Sequence, residues 1–106
     1  MKASKLYSDL LSICERVAYG AFKTRQDTPY IVYLQSADVS GGDSNICITN
    51  NHFRIELYDV KRNVEMENKI ESLLVSYHVE YDVIYATYIN DSKQFFTVYE
   101  FDTFDK

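Results

Sequence analysis

The chain has 106 residues, of which 46% are hydrophobic and 25% are charged, so it is long enough for one globular domain over 1–106 and is not disordered. Its net charge of −5 arises in residues 54–106, which hold eleven acidic and six basic side chains, whereas residues 1–53 hold five of each. The absence of a Lys/Arg patch argues against specific nucleic-acid binding. Ten tyrosines and six phenylalanines suit either half-buried strands or subunit interfaces.

A first helix is predicted over residues 5–19, because apolar side chains recur at spacings of three and four. These side chains are Leu6, Leu10, Ile13, Cys14 and Val17. Ser4 is expected to cap the N-terminus of this helix, and Gly20 is expected to follow its last turn.

Three strands are predicted next. Residues 30–36 follow Pro29 and are rich in β-branched and aromatic types, and a short strand is expected at 45–49. Residues 52–59 alternate between apolar and polar types, which is typical of a half-buried strand. The pair Asn50 and Asn51 is predicted to form a turn between the last two strands.

Between these strands, seven small, polar or glycine residues predict a loop that is mobile in the isolated subunit and contacts its neighbours after assembly. This candidate interface consists of Asp38, Val39, Ser40, Gly41, Gly42, Asp43 and Ser44. A tolerated surface insertion is the alternative interpretation of the same residues.

The second half of the chain predicts one helix and a terminal hairpin. Residues 63–78 carry an apolar stripe behind Asn63, which is a suitable N-cap. Strands are expected at 80–90 and 94–101, joined by a polar turn, and residues 102–106 are expected to be a frayed tail. The order is therefore α-β-β-β-α-β-β. It indicates an α+β fold in which a mostly antiparallel sheet has both helices packed on one face.

The sequence predicts neither a catalytic nor a cofactor or metal site. His52 is expected in a turn and His78 at a helix end, and neither has acidic or cysteine partners at the spacing of metal ligands. Cys14 and Cys47 are far apart and are expected to be free, reduced thiols. The glycine pattern does not match a phosphate-binding loop. We therefore expect a protein that is not an enzyme.

The hydrophobic pattern also bears on location. No apolar run is long enough for a transmembrane helix, and the first residues lead directly into an amphipathic segment without the apolar core of a signal peptide. The expectation is a protein made in a cytoplasm, with no membrane association.

Several stretches resemble a known family. They are Ala-Tyr-Gly-Ala-Phe-Lys at 18–23 leading to Pro-Tyr-Ile-Val-Tyr-Leu at 29–34, Arg-Ile-Glu-Leu-Tyr at 54–58 followed by a lysine and an acidic helix, and Val-Tyr-Glu-Phe at 98–101. Together they resemble the tail-completion or tail-to-head joining proteins of long-tailed bacteriophages, which are related in fold to tail terminators. The sequence departs from that family at Lys61, which is followed by Arg-Asn instead of an acidic residue, and in the glycine-rich loop.

The resemblance implies a structural phage or prophage protein located at the head–tail interface of the virion. Such proteins form a homo-oligomeric ring, typically a hexamer, which caps the tail tube and joins the tail to the head connector. The implied partners are other copies of the chain, the major tail protein and the head-connector protein. Genomic DNA would only pass through the lumen, and an acidic second half would repel it.

Two other functions fit the same composition. One is a different connector component, such as a head-closure protein, although two helices argue against the barrel-rich folds of that class. The other is a small cytoplasmic protein-binding module, for example an inhibitor of a host system. A stable 1:1 complex with a host enzyme would favour the inhibitor, whereas ring formation would favour the connector.

Overall fold

The computed structural model describes residues 1–40 and 48–105, without the side chains of residues 38–40, 48 and 105. It contains two helices and five strands. In chain order they are α1 (Ala3–Leu11), β1 (Val17–Tyr19), β2 (Tyr30–Ser40), β3 (Ile48–Asp59), α2 (Val64–Ser76), β4 (Tyr81–Ile89) and β5 (Gln94–Asp105).

The strands form a single sheet in the order β1-β2-β3-β5-β4. The β2–β3, β3–β5 and β5–β4 pairs are antiparallel, and the short β1 runs parallel to β2. The expected α+β class, its α-β-β-β-α-β-β order and its mostly antiparallel sheet are confirmed.

Both helices pack on one face of this sheet, which we call the inner face. α1 buries Leu6 and Leu10 there, and α2 buries Ile70 and Leu74. The strands contribute a shared set of fully or nearly fully buried residues: Val17, Ile31, Tyr33, Phe53, Ile55, Leu57, Tyr99 and Phe101. Burial of these side chains is the main source of stability for a domain of this size.

Polar contacts supplement the apolar core beneath α2. The carboxylate of Glu67 is buried, and it accepts hydrogen bonds from Thr97 Oγ1 at 3.1 Å and from the Arg62 guanidinium at 3.2 Å. One turn later, Glu71 accepts from the hydroxyls of Tyr99 at 3.1 Å and Tyr81 at 3.0 Å. Because a buried carboxylate needs hydrogen-bond donors, these contacts fix the position of α2 along β5.

The first helix is shorter than predicted. It ends at Leu11, the chain turns, and Val17–Tyr19 form β1 beside Ile31–Tyr33. Val17 and Tyr19 favour extended backbone, and pairing with β2 supplies backbone hydrogen bonds that a longer helix would otherwise supply. Ser4 lies inside the helix instead of capping it, and Gly20, with a φ of 78°, follows β1 instead of a helix.

Where the sequence predicts strands at 45–49 and 52–59, residues 48–59 form one continuous strand, β3, and residues 45–47 lie outside the described residues. The expected turn at Asn50 and Asn51 is absent, because both residues are paired on both sides, with β2 and with β5. Asn51 is buried, and its Oδ1 accepts a hydrogen bond from Gln35 Nε2 at 3.0 Å. A turn-forming side chain is thus accommodated in a central strand once a partner satisfies it.

Two further boundaries differ for the same reason. β2 continues past the predicted end at 36 to Ser40, and β5 continues to Asp105, so residues 102–105 are not a frayed tail. In each case pairing with β3 extends the strand: Asp38 pairs with Asn50, and Thr103 pairs with Asn51. α2 agrees closely with its prediction, and Asn63 caps it by accepting the Met66 N–H at 2.9 Å.

Candidate interaction surface

The most distinctive surface of the molecule is the edge strand β4. It is the last strand of the sheet, it is nine residues long, and its residues from Asp82 to Tyr88 are exposed. Four large apolar side chains are about half exposed: Val83 (50%), Ile84 (42%), Tyr85 (52%) and Tyr88 (48%). An edge strand presents unpaired backbone N–H and C=O groups that can pair with another chain. β4 is therefore a surface suited to strand addition.

The usual protection of an edge strand is largely missing from β4. Monomeric proteins place lysines or prolines on long edges, whereas β4 contains neither and carries a single charge, Asp82. A β-bulge between Val83 and Tyr85 interrupts its pairing with β5, and bulges do protect edges. The bulge leaves residues 85–89 regular, however, and this half of the strand contains no charged side chain.

The opposite edge of the sheet is covered only over part of its length, since residues 36–40 of β2 pair, among the described strands, only with β3. β1 covers Ile31–Tyr33 of β2, and the Tyr19 hydroxyl covers the next position. This hydroxyl donates to the carbonyl oxygen of Gln35 at 3.0 Å and accepts from the Gln35 N–H at 3.2 Å. A side chain thus occupies the backbone groups that an added strand would use. The two edges are therefore unequal.

The face opposite the helices, which we call the outer face, carries a row of aromatic rings. The rings of Tyr30 and Tyr58 stack at a centroid distance of 4.9 Å, Tyr58 and Phe96 at 5.8 Å, and Phe96 and Tyr85 at 5.9 Å. Phe22 packs edge-on against Tyr30 at 5.5 Å. Such contacts stabilise neighbouring strands. The row crosses β2, β3, β5 and β4, so it links the body of the sheet to the open edge.

Beside this row, the outer face holds a connected set of charged groups. His52 lies between Asp102, at 2.6 Å from Nδ1, and Glu100, at 2.8 Å from Nε2. Glu100 also lies 3.6 Å from Arg54, whose Nε donates to Glu56 at 2.8 Å. The hydrogen bond to Asp102 is the largest cause that raises the pKa of His52, with further support from Glu100 and opposition from desolvation.

A groove of about 700 Å³ lies where this charged set meets the start of β4. Its walls include the carboxylates of Glu80, Asp82, Glu100 and Asp102. Within the described ranges, no group of three or more His, Cys, Asp or Glu side chains has a geometry that could hold a metal ion. The groove is accordingly an acidic surface feature next to the β4 edge.

The predicted interface residues fall in two groups. Asp38, Val39 and Ser40 belong to β2 and pair with Asn50, Thr49 and Ile48, so they are not part of a loop. Gly41, Gly42, Asp43 and Ser44 lie outside the described residues. The structure thus corrects the start of the predicted loop.

The histidines and Cys14 lie in different parts of the fold. His52 is in β3 and not in a turn, and its two acidic partners come from β5, a pairing that spacing along the chain could not reveal. His78 follows α2 as expected, is exposed, and has a positive φ of 58°. Cys14 is a free and buried thiol, although it lies after α1 and not within it, and burial raises its pKa. Cys47 lies outside the described residues.

Sequence reasoning missed the open edge, although the low charge of its strand is visible in the sequence. Residues 81–89 form the least charged strand segment of the second half of the chain. Most of these residues are tyrosine, valine or isoleucine. Periodicity identifies such a strand but does not say whether it lies at the edge or the centre of a sheet. Only the strand order makes β4 an edge.

Comparison of the sequence with protein-family models finds no match, and comparison with curated proteins finds none either. In the part of the chain that the structure describes, neither helix combines the length and the apolar character needed to cross a membrane. Function is therefore inferred from the surface of the molecule and from its sequence pattern.

Proposed function

We propose that this chain is a structural subunit of phage or prophage morphogenesis, which caps the tail tube and joins the tail to the head connector as part of a ring. The observation that carries the proposal is the open β4 edge, where half-exposed apolar side chains flank unpaired backbone groups. A ring requires each subunit to offer one surface to a different surface of its neighbour. Strand addition at an edge provides such a contact, with the backbone giving affinity and the side chains giving specificity.

The fold supports a connector over the competing components. A single open sheet with two helices on one face differs from the barrel-rich folds expected of head-closure proteins. The stretches that carry the sequence resemblance, at 18–23, 29–34, 54–58 and 98–101, fall mainly in and beside β1, β2, β3 and β5, and β5 pairs with β4. In this assignment β4 faces another copy or the major tail protein, while the head connector binds elsewhere on the ring.

Electrostatics supports passage of DNA without binding. The net charge is −5, and carboxylates line the groove beside β4. A lumen surface with this charge repels phosphates and lets the genome slide through, whereas basic side chains would retain it. The proposed ring therefore contacts DNA only in transit, and its specific partners are proteins.

A complementation experiment tests this function. The gene is deleted from the prophage or phage that carries it, and a plasmid supplies the wild-type chain or the variant Tyr85→Lys. A lysine in the middle of the edge opposes strand addition. We expect the wild-type chain to restore infectious particles, and we expect Tyr85→Lys to leave filled heads and separate tails under the electron microscope.

The matched control is Val75→Lys, which places the same charge on another exposed apolar residue, on α2 and not on β4. It should restore particles as well as the wild-type chain does. Normal virions in the deletion strain without any plasmid would exclude the proposed role. A stable 1:1 complex with a host enzyme, recovered from the same cells, would favour the inhibitor instead.

A further inference from the structure

The regular half of β4 is self-complementary. After the bulge, residues 85–89 pair with β5 without interruption, so their side chains alternate strictly between the two faces of the sheet. Tyr85, Thr87 and Ile89 lie on the outer face, and Ala86 and Tyr88 lie on the inner face, because Tyr85 stacks on Phe96 and Ala86 pairs with the inward-facing Thr97. This segment is uncharged, and the large side chains of Tyr85 and Ile89 lie on the same face at equal distances from Thr87.

We propose that two free copies of the chain pair through this segment, antiparallel, about a twofold axis that passes at Thr87. The pairing goes beyond the proposed function, because it concerns the protein before assembly and needs no phage component. It joins two five-stranded sheets into one continuous sheet with all helices on the same face. The open edge of each copy is then the partner of the other.

The side chains fit this register. Tyr85 of one copy lies opposite Ile89 of the other on the outer face, and aromatic–β-branched pairs of this kind stabilise antiparallel strands. Ala86 lies opposite Tyr88 on the inner face, so the smallest residue of the segment receives the largest. Thr87 meets its own counterpart on the axis, where the hydroxyls are close enough to bond. Registers displaced by one residue would set inner side chains against outer ones.

The charges are compatible with the same register. Asp82, the single charged residue of β4, lies outside the paired segment, so the two copies do not bring these carboxylates together. The apolar surface of the outer face also continues, since Tyr85 at the end of the aromatic row meets the aliphatic side chain of Ile89.

Cross-linking tests the register. In a Cys47→Ser background, Thr87→Cys places one thiol of each copy on the axis, and mild oxidation should convert most of the protein into a disulfide-linked dimer. Val83→Cys is the control, because eight strand positions, roughly 26 Å, would separate the two thiols. Efficient cross-linking through position 83 and none through position 87 would overturn the proposed register.

Sedimentation velocity tests the association itself, with the purified full chain between about 1 and 100 µM. The wild-type chain should sediment as a dimer at the upper end of this range. Thr87→Lys sets two like charges directly opposite each other and should raise the dissociation constant at least tenfold. Asp82→Lys, which lies on the same strand but outside the pairing, should change it less than threefold.

The contrary outcomes are distinct from a failure of the proposed function. A wild-type chain that stays monomeric at 100 µM overturns the twofold pairing, even if it still complements the phage deletion. A ring that forms from the purified chain and is unaffected by Thr87→Lys also overturns it, while supporting the assembly role. Circular dichroism of both lysine variants checks that each remains folded.

Discussion

His52 is held between two acidic side chains of the neighbouring strand, Glu100 and Asp102, with Asp102 the shorter contact. Its side chain is 43% exposed, so solvent weakens these ion pairs, and their contribution to stability is modest. The arrangement nevertheless favours the protonated imidazole in the folded state, because both ring nitrogens face acceptors.

This geometry predicts a pH dependence. The folded-state pKa of His52 is raised, so its stabilisation is complete below the unfolded pKa of about 6.5 and is lost as pH rises through the folded value. Chemical denaturation of the wild-type chain should show lower stability at pH 8.5 than at pH 6. His52→Asn should flatten this difference, whereas His78→Asn, at the exposed end of α2, should retain it. An unchanged slope in His52→Asn would contradict the assignment.

Two tyrosine hydroxyls beneath α2 differ in how deeply they are buried. Tyr99 is fully buried and donates to Glu71, whereas Tyr81 donates to the same carboxylate from a half-buried position. Tyr99→Phe removes a buried donor to a charged acceptor and should lower the free energy of unfolding by about 1.5–3 kcal/mol. Tyr81→Phe is the matched control and should cost less. Equal losses in urea titrations would show that burial does not distinguish the two bonds.

Two adjacent leucines in the apolar stripe of α2 differ in their burial. Leu74 is fully buried against the sheet, whereas its neighbour Leu73 is only partly buried and packs at the rim. Both leucines belong to the apolar stripe predicted over residues 63–78, and a helical stripe alone cannot separate its centre from its margin. The leucine that is buried more deeply against the sheet is expected to contribute more to the free energy of unfolding.

Leu74→Ala should therefore lower the free energy of unfolding by ~2–5 kcal/mol, the usual cost of a cavity at a fully buried leucine. Leu73→Ala should cost clearly less, because solvent can fill the space at the rim. The measurement is equilibrium unfolding in urea with both variants in parallel. A larger loss for Leu73→Ala would mean that α2 is rotated about its axis relative to the structure described above.

The elements also show what a sequence can and cannot predict. α2 and its Asn63 cap were predictable, because a helical stripe and a capping side chain are local signals. β1 was not, since its three residues form a strand only through pairing with Ile31–Tyr33. The continuity of β3 across Asn50 and Asn51 depends on partners in β2 and β5, which are distant in sequence. The open edge depends on strand order and was equally out of reach.

At the scale of the whole molecule, the difference between the two sheet edges is the property to test. Tyr19→Phe keeps the ring, which packs edge-on against Tyr33 at 5.2 Å, and removes the hydroxyl that occupies the Gln35 backbone. The variant should stay folded and should associate more strongly than the wild-type chain in sedimentation velocity, because the Gln35 backbone groups lengthen the uncovered part of the β2 edge. Tyr7→Phe, at another exposed tyrosine, on α1, is the control and should behave as the wild-type chain.

The Tyr19 hydroxyl therefore has a consequence for growth. A subunit with two open edges can bind two neighbours by strand pairing and can polymerise into a fibre. A subunit with one open edge can bind only one neighbour in this way, so the sheet does not grow beyond it. By occupying one amide group and one carbonyl group of Gln35, a single phenol shortens the stretch of β2 that another strand could join. The longer uncovered edge is β4, so growth by strand pairing is directed there.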